Sequence, residues 1–117
     1  MLYKLEDSYW MMNNKRWYDQ DPTVSLAVSI LRNANIHNQL LVAEHIIQKG
    51  KAHNVPVDKI RYEKPGFFSR RWYDFEESVF YAIECLRLSS PEVQKVLAIE
   101  IINYLCNLDN SITNDPV

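Results

Sequence analysis

Two short stretches of this chain combine residue types that can bind an anionic partner. The order arginine, tryptophan, tyrosine, aspartate occurs at residues 16–19 and again at residues 71–74, each time after a further basic residue. Aromatic rings can stack on the bases of single-stranded nucleic acid while basic groups contact its phosphates. The candidate surface consists of Arg16, Trp17, Tyr18, Asp19, Arg71, Trp72, Tyr73 and Asp74.

A structural interpretation of the same residues is simpler, and we favour it. Each tryptophan would fix the entry of a helix to the core, with the tyrosine hydroxyl in solvent, the aspartate as a cap and the arginine beside a carboxylate or a ring. Acidic residues at positions 21, 76 and 77 offset the basic charge, and the net charge of −2 provides no overall field for a polyanion. Nucleic-acid binding remains the alternative.

The histidines do not have the spacing of a metal site. His37, His45 and His53 are eight residues apart, which on a helix rotates successive side chains by about 80°. The sequence contains no Glu-x-x-His pair and no Cys-x-x-Cys. We therefore expect no bound metal and no cofactor.

A weaker polar site is the next candidate. Glu100 follows His45 at the same spacing that separates the two aromatic stretches, and Glu44 adjoins His45. These side chains would meet if the helices that carry them lined a common axis. We favour solvated positions for them, and a small enzyme with a site between the two halves of the chain is the third hypothesis.

Nucleophilic catalysis has less support in the sequence. There is no Gly-x-Ser-x-Gly elbow and no glycine-rich phosphate loop, and the chain has only two glycines. Cys85 and Cys106 both lie in apolar helical surroundings, and we predict that both are small core residues. We assign no catalytic residue.

The spacing between the aromatic stretches is shared by much of the chain. When residues 15–47 are paired with residues 70–102 without a gap, 12 of the 33 pairs are identical. This similarity indicates an internal duplication. Its period of 55 and its signature match none of the tetratricopeptide, ankyrin or HEAT patterns.

Each copy carries the pattern of two helices. The first helix has an apolar stripe at helical spacing, and the second begins at Asn35 or at Ser90-Pro91, which are good helix starts. We predict that Asp19 or Asp21 caps the first of these helices, that Asp74 and Glu77 form a capping box, and that Gly50 ends a helix as a left-handed residue. The predicted stripes are Val24, Ala27, Val28 and Leu31; Val79, Ala82, Ile83 and Leu86; Leu40, Ala43 and Ile47; and Val93, Leu97, Ile101 and Tyr104.

The predicted fold is all-α. Two tandem αα-hairpins, in residues 15–50 and 70–106, close into a pseudo-twofold four-helix bundle, with short extra elements at the N-terminus and in the linker at residues 51–69. The whole chain of 117 residues forms a single helical domain.

The composition is that of an ordinary globular protein, with 47% hydrophobic and 24% charged residues. The start of the chain lacks a secretory pattern, and its apolar tracts are too short to span a bilayer, so we expect a cytoplasmic protein. The helices carry more apolar residues than one stripe needs. We therefore expect a non-catalytic structural or protein-interaction module that forms a homodimer or binds another protein.

Overall fold

The computed structural model describes residues 16–64, residue 66 and residues 71–113, with side chains through residue 108. Within these ranges the chain is all-helical and has no strand: α1 is Pro22–Asn33, α2 is Ile36–Ala52, α3 is Glu77–Leu88 and α4 is Pro91–Thr113. Short 3₁₀ helices precede α1 and α3, at Trp17–Gln20 and Trp72–Phe75, and a third lies at Val57–Lys59. We refer to the first two as the first and second Trp-Tyr-Asp turns.

Acidic side chains cap the N-termini of α1 and α3, but they are not the aspartates of the two Trp-Tyr-Asp turns. Asp21 accepts hydrogen bonds from the backbone N–H groups of the first turn of α1, and Pro22 occupies the first helical position as predicted. Glu76 caps α3 by accepting from the backbone of Ser78. The predicted capping box of Asp74 and Glu77 is therefore wrong, because the carboxylate of Asp74 is bound to an arginine instead.

The second helix of each segment begins at the predicted residue. Asn35 accepts from the backbone N–H of Asn38, and the hydroxyl of Ser90 accepts from that of Val93. The prediction for Gly50 is wrong, since α2 continues to Ala52 and the positive φ belongs to Asn54, at 64°. Gly50 is buried, and a Cβ there would overlap with the side chain of Cys85 in α3.

The four helices pack as a bundle in which the main contacts join the two halves of the chain. The most extensive contacts are those of α1 with α4 and of α2 with α3, and α2 also packs on α4. The two helices within one half, which only two residues connect, contact each other less than each contacts a helix of the other half. Each apolar stripe is thus buried mostly against the other half.

The stripes of α1 and α3 are buried in full as predicted, and those of α2 and α4 are buried in part. In α2 the buried residues are Val42, Ala43 and Ile46, while Leu40 is exposed and Ile47 lies at the edge of the core. In α4, Leu97 and Ile101 are buried. Cys85 is a core residue as predicted, whereas Cys106 is exposed, so the prediction for that residue is wrong.

The predicted short element of the linker is a helical turn at residues 57–59. The last helix extends beyond the predicted end of the second hairpin at residue 106, because α4 continues to Thr113. The predicted N-terminal element and the basic residues before the two aromatic stretches, Lys15 and Arg70, lie outside the described residues.

Candidate functional site

The first Trp-Tyr-Asp turn is held by its own charged residues. Arg16 donates from Nε to Oδ2 of Asp19 at 2.8 Å, and the hydroxyl of Ser25 donates to Oδ1 of the same carboxylate at 3.1 Å. The guanidinium carbon of Arg16 also lies 4.7 Å from the centre of the Tyr18 ring, within the range of a cation–π contact. Arginine and aspartate therefore fix the turn that leads into α1.

The second turn repeats this arrangement. Arg71 donates from Nε to Oδ2 of Asp74 at 2.9 Å, and its guanidinium carbon lies 4.9 Å from the centre of the Tyr73 ring. The other carboxylate oxygen of Asp74 is 2.9 Å from Nη2 of Arg71, an ion-pair contact without hydrogen-bond alignment. The hydroxyl of Tyr62 donates to the carbonyl oxygen of Asp74 at 3.0 Å and so ties the linker to this turn.

The two turns, although distant in sequence, line one cleft. Its volume is about 270 Å³, and we call it the arginine–tryptophan cleft. Aromatic rings and guanidinium groups form its walls: Arg16, Trp17, Tyr18, Arg32, Arg71, Trp72 and Tyr73. The structure thus brings together six of the eight residues that the sequence singled out, and Asp19 and Asp74 are bound to arginines of this lining.

The tyrosines, not the tryptophans, are the deeply buried rings. Tyr18 and Tyr73 are 7% and 3% exposed, so the expectation of a tyrosine hydroxyl in solvent is wrong. Each tryptophan is partly buried and meets the following tyrosine edge to face, with ring centres 5.3 Å and 5.5 Å apart. The indole N–H groups of Trp17 and Trp72 are buried and have no hydrogen-bond acceptor among the described residues.

Arg32, at the end of α1, is the arginine of the cleft that has no acidic partner among the described residues. The hydrogen bonds that Arg16 and Arg71 donate to Asp19 and Asp74 raise the pKa of both arginines, so both guanidinium groups are firmly charged but already paired. Arg32 was not among the candidate residues taken from the sequence. Its identity with Arg87 was the signal that could have marked it.

Arg87, at the position that aligns with Arg32, has an acidic partner, whereas Arg32 has none in the described ranges. It donates from Nη2 and Nε to Oε2 of Glu84 at 2.6 Å and 3.0 Å, which raises the pKa of Arg87. Glu84 is only 7% exposed, and its other oxygen lies 4.0 Å from Nη1 of Arg71. A buried carboxylate thus joins two arginines of the second half, an arrangement that the sequence analysis did not identify.

The weak polar site is partly assembled where α2 meets α4. Nε2 of His45 lies 2.9 Å from Oε2 of Glu100, and the tilted ring of Tyr104 packs on His45 at 4.8 Å. The hydrogen bond from His45 lowers the pKa of Glu100, and Lys49, 3.9 Å away, adds to the effect. Because the ionised carboxylate only accepts, Nε2 carries the proton.

The other residues near this pair do not join it. Glu44 is exposed and makes no hydrogen bond or ion pair with the described residues, and His37 and His53 are exposed. Across the part of the chain that the structure describes, no three histidine, cysteine, aspartate or glutamate side chains are grouped closely enough to hold a metal ion.

Comparison with protein families, with curated proteins and with solved structures finds no match to this chain. We therefore infer function from the geometry of the arginine–tryptophan cleft and of the helix surfaces. None of the helices in the described ranges has the length and apolar character needed to cross a bilayer.

Proposed function

We propose that this protein is a non-catalytic, cytoplasmic protein-interaction module that acts as a homodimer. We further propose that it arose by duplication of a helical hairpin whose two copies close about a pseudo-twofold axis. The elements that support this origin begin at aligned residues: the turns at Trp17 and Trp72, and the helices at positions 22 and 77 and at positions 36 and 91. Contact between the aligned residues His45 and Glu100 fits an axis that passes between α2 and α4.

The observation that carries the interaction role is the apolar surface left over once the core is complete. Eight large hydrophobic side chains of the described residues stay more than a third exposed: Leu26, Ile36, Leu40, Leu41, Phe75, Leu88, Val96 and Ile99. Fully burying such a side chain stabilises by about 1.5–3 kcal/mol, and these residues gain only part of it in the monomer. Burial against another protein surface would recover that stabilisation.

A second copy of the chain is the partner that these positions favour. Leu41 of α2 aligns with Val96 of α4, and the two side chains are 37% and 42% exposed. A twofold dimer axis could therefore place Leu41 of one protomer against Val96 of its partner, and Val96 against Leu41, which is the reciprocal pairing of a self-complementary homodimer interface. The two free cysteines fit a reducing compartment, in which no disulfide would add to such an interface.

Sedimentation equilibrium of the full chain tests the homodimer. We expect a mass of about twice 13.8 kDa at tens of micromolar protein. A double variant, Leu41→Glu with Val96→Glu, should sediment as a monomer, because each glutamate would bury a charge in the interface.

The matched control is Gln48→Glu with Asn103→Glu, which adds the same charge at exposed, aligned positions of the same two helices. It should remain dimeric. A wild-type protein that is strictly monomeric at several hundred micromolar would refute self-association. Equal dissociation of both double variants would show instead that net charge, rather than burial of Leu41 and Val96, governs assembly.

Nucleic-acid association is the second candidate, and the arginine–tryptophan cleft favours it. Three guanidinium groups and two indole rings line one cavity, a composition that suits stacked bases and phosphates. We expect salt-dependent retention on single-stranded DNA that is lost when Arg16 and Arg71 are both replaced by glutamine. Retention that survives this double replacement would reject the candidate.

A further inference from the structure

The aligned arginines of the two halves differ in their acidic partners. In the second half, the carboxylate of Glu84 binds Arg87 and lies near Arg71. The aligned residue in the first half is Ser29, whose side chain carries no charge. Among the described residues, the first half therefore contains the two aligned arginines, Arg16 and Arg32, without a carboxylate that joins them as Glu84 joins their counterparts.

A cavity lies beside these arginines in the first half. It has a volume of about 310 Å³ and adjoins the arginine–tryptophan cleft, with which it shares Arg16, Tyr18 and Arg32. Hydroxyl and amide groups contribute to its lining, of which the Ser25 hydroxyl already donates to Asp19 and the Asn33 amide to the carbonyl oxygen of Ser29. The full lining is Arg16, Tyr18, Ser25, Val28, Ser29, Arg32 and Asn33. We call it the Ser29 cavity.

The two halves differ in how many carboxylates of the described residues pair with their aligned arginines. In the second half, the two arginines at positions 71 and 87 face the two carboxylates of Asp74 and Glu84. Among the described residues of the first half, Arg16 pairs with Asp19 and Arg32 has no acidic partner. One negative charge between Arg16 and Arg32 would restore the balance found in the second half.

We propose that the Ser29 cavity binds the carboxylate of a glutamate or aspartate from an acidic segment of a partner protein. The bound carboxylate takes the place between Arg16 and Arg32 that Glu84 takes beside Arg71 and Arg87. A planar carboxylate matches the fork of donors that a guanidinium group presents. This role goes beyond self-association, since it concerns a different surface and a different partner.

An acidic peptide suits the cavity better than an extended nucleic acid. The internal precedent, Glu84, is a carboxylate, and one such group completes the charge balance. The described part of the chain offers no such precedent for a phosphate group between the aligned arginines.

The first test supplies the carboxylate from within the chain. Ser29→Glu should raise the midpoint of thermal unfolding by about 2–5 °C at low salt, because the new carboxylate pairs with Arg32 three residues along the helix and with Arg16. The neutral analogue Ser29→Gln should not raise it. Equal midpoints for the two variants would contradict the proposed charge balance.

The second test measures binding to the full-length protein by fluorescence anisotropy at about 50 mM salt, where surface charges are weakly screened. The probes are a labelled hexaglutamate peptide, a hexaglutamine peptide and a six-residue oligothymidylate. We expect hexaglutamate to bind and hexaglutamine not to bind. Arg32→Gln should weaken binding by about tenfold, and Ser29→Glu should abolish it.

Arg61→Gln is the matched control, since Arg61 is exposed, lies outside the cavity and has no ion-pair partner among the described residues. It should change the affinity for hexaglutamate by less than about twofold. Hexaglutamate binding that is absent, or insensitive to Arg32→Gln and Ser29→Glu, would overturn the proposal. Tighter binding of oligothymidylate that depends on Arg32 would overturn it in favour of nucleic acid, and sedimentation would still decide the homodimer independently.

Discussion

Replacing Gly50 by alanine should change stability in a direction that depends on one other residue. Gly50 lies inside α2 and is buried, and a Cβ there would overlap with Sγ of Cys85, in α3 of the other half. Cys85 is itself 0% exposed, so its sulfur has little free space into which to move. The close approach of α2 and α3 therefore depends on the absence of a side chain at position 50.

Two opposing contributions set the size of the effect. Alanine is favoured over glycine inside a helix by about 1 kcal/mol, whereas forcing an extra methyl group into a packed core costs about 1–3 kcal/mol. We expect Gly50→Ala to destabilise the wild-type protein by about 1 kcal/mol. In a Cys85→Ala background the nearest remaining atoms are 3.8 Å from the new Cβ, an ordinary contact, so the same change should stabilise by about 0.5–1 kcal/mol.

The assay is urea unfolding of the wild type, the two single variants and the double variant, followed by circular dichroism. All four are measured at one protein concentration, because association makes apparent stability concentration-dependent. The expected interaction energy is about 2 kcal/mol, well above the few tenths found for independent sites. Gln48→Ala, at an exposed position of α2, serves as the control and should have the same effect in both backgrounds.

An effect of Gly50→Ala with the same sign and size in both backgrounds would refute this account. It would mean that α2 and α3 separate enough to admit the methyl group, and that the cysteine sulfur is not what excludes it.

Three further expectations follow from single contacts. Burial raises the pKa of Cys85 to about 11. A disulfide reagent at pH 8 should therefore react quickly with the exposed thiol of Cys106 and with that of Cys85 only after unfolding. Rapid reaction of both thiols in the folded protein would contradict the packing. The pKa of Glu100 is lowered in the folded state, so its contribution to stability is present above about pH 4.3 and is lost as the pH falls through the folded value. Glu100→Gln should therefore lower the urea midpoint more at pH 7 than at pH 3, and an equal loss at both values would refute the ionic contribution. Asp21→Ala should lower the free energy of unfolding by about 1 kcal/mol, because α1 loses its helix cap. No change in thermal unfolding would show that another group caps α1.

Much of the secondary structure was predictable because the signals for it are local. The stripe of α1, from Val24 to Leu31, recurs at helical spacing, and Pro22 and Asn35 occupy positions at which a helix can begin. Such signals depend on residues within one or two turns of each other. They located the starts of all four helices in the described ranges to within one residue or two.

Errors arose where one residue had more than one plausible role. Asp74 has the chemistry of a helix cap, but in the folded chain Arg71 binds it, and Glu76 caps α3. Gly50 has the sequence context of a helix end, yet it is retained inside the helix where Cys85 approaches. In both cases the sequence presents two plausible uses of one residue, and the packing selects one.

The residues of the candidate site were predictable from the sequence, but their proximity in the folded chain was not. The constant spacing between the two copies singled out both arginine, tryptophan and tyrosine groups, and it even aligned His45 with Glu100. No local rule states that the two turns share one cleft, because that depends on how the halves of the chain pack together. The roles of Ser29 and Glu84 were also hidden, since the two positions differ in sequence.

By itself, the sequence determined that the described chain is helical, where its helices begin, and which residues recur between its halves. Hydrophobic periodicity and capping act over a few residues, so they can be identified without coordinates. Only the tertiary structure decided that α1 packs on α4, that the two turns meet, and that a cavity lies in the first half beside arginines whose counterparts hold a buried carboxylate. Those features depend on contacts between residues distant in the chain, which the local chemistry of either partner does not specify.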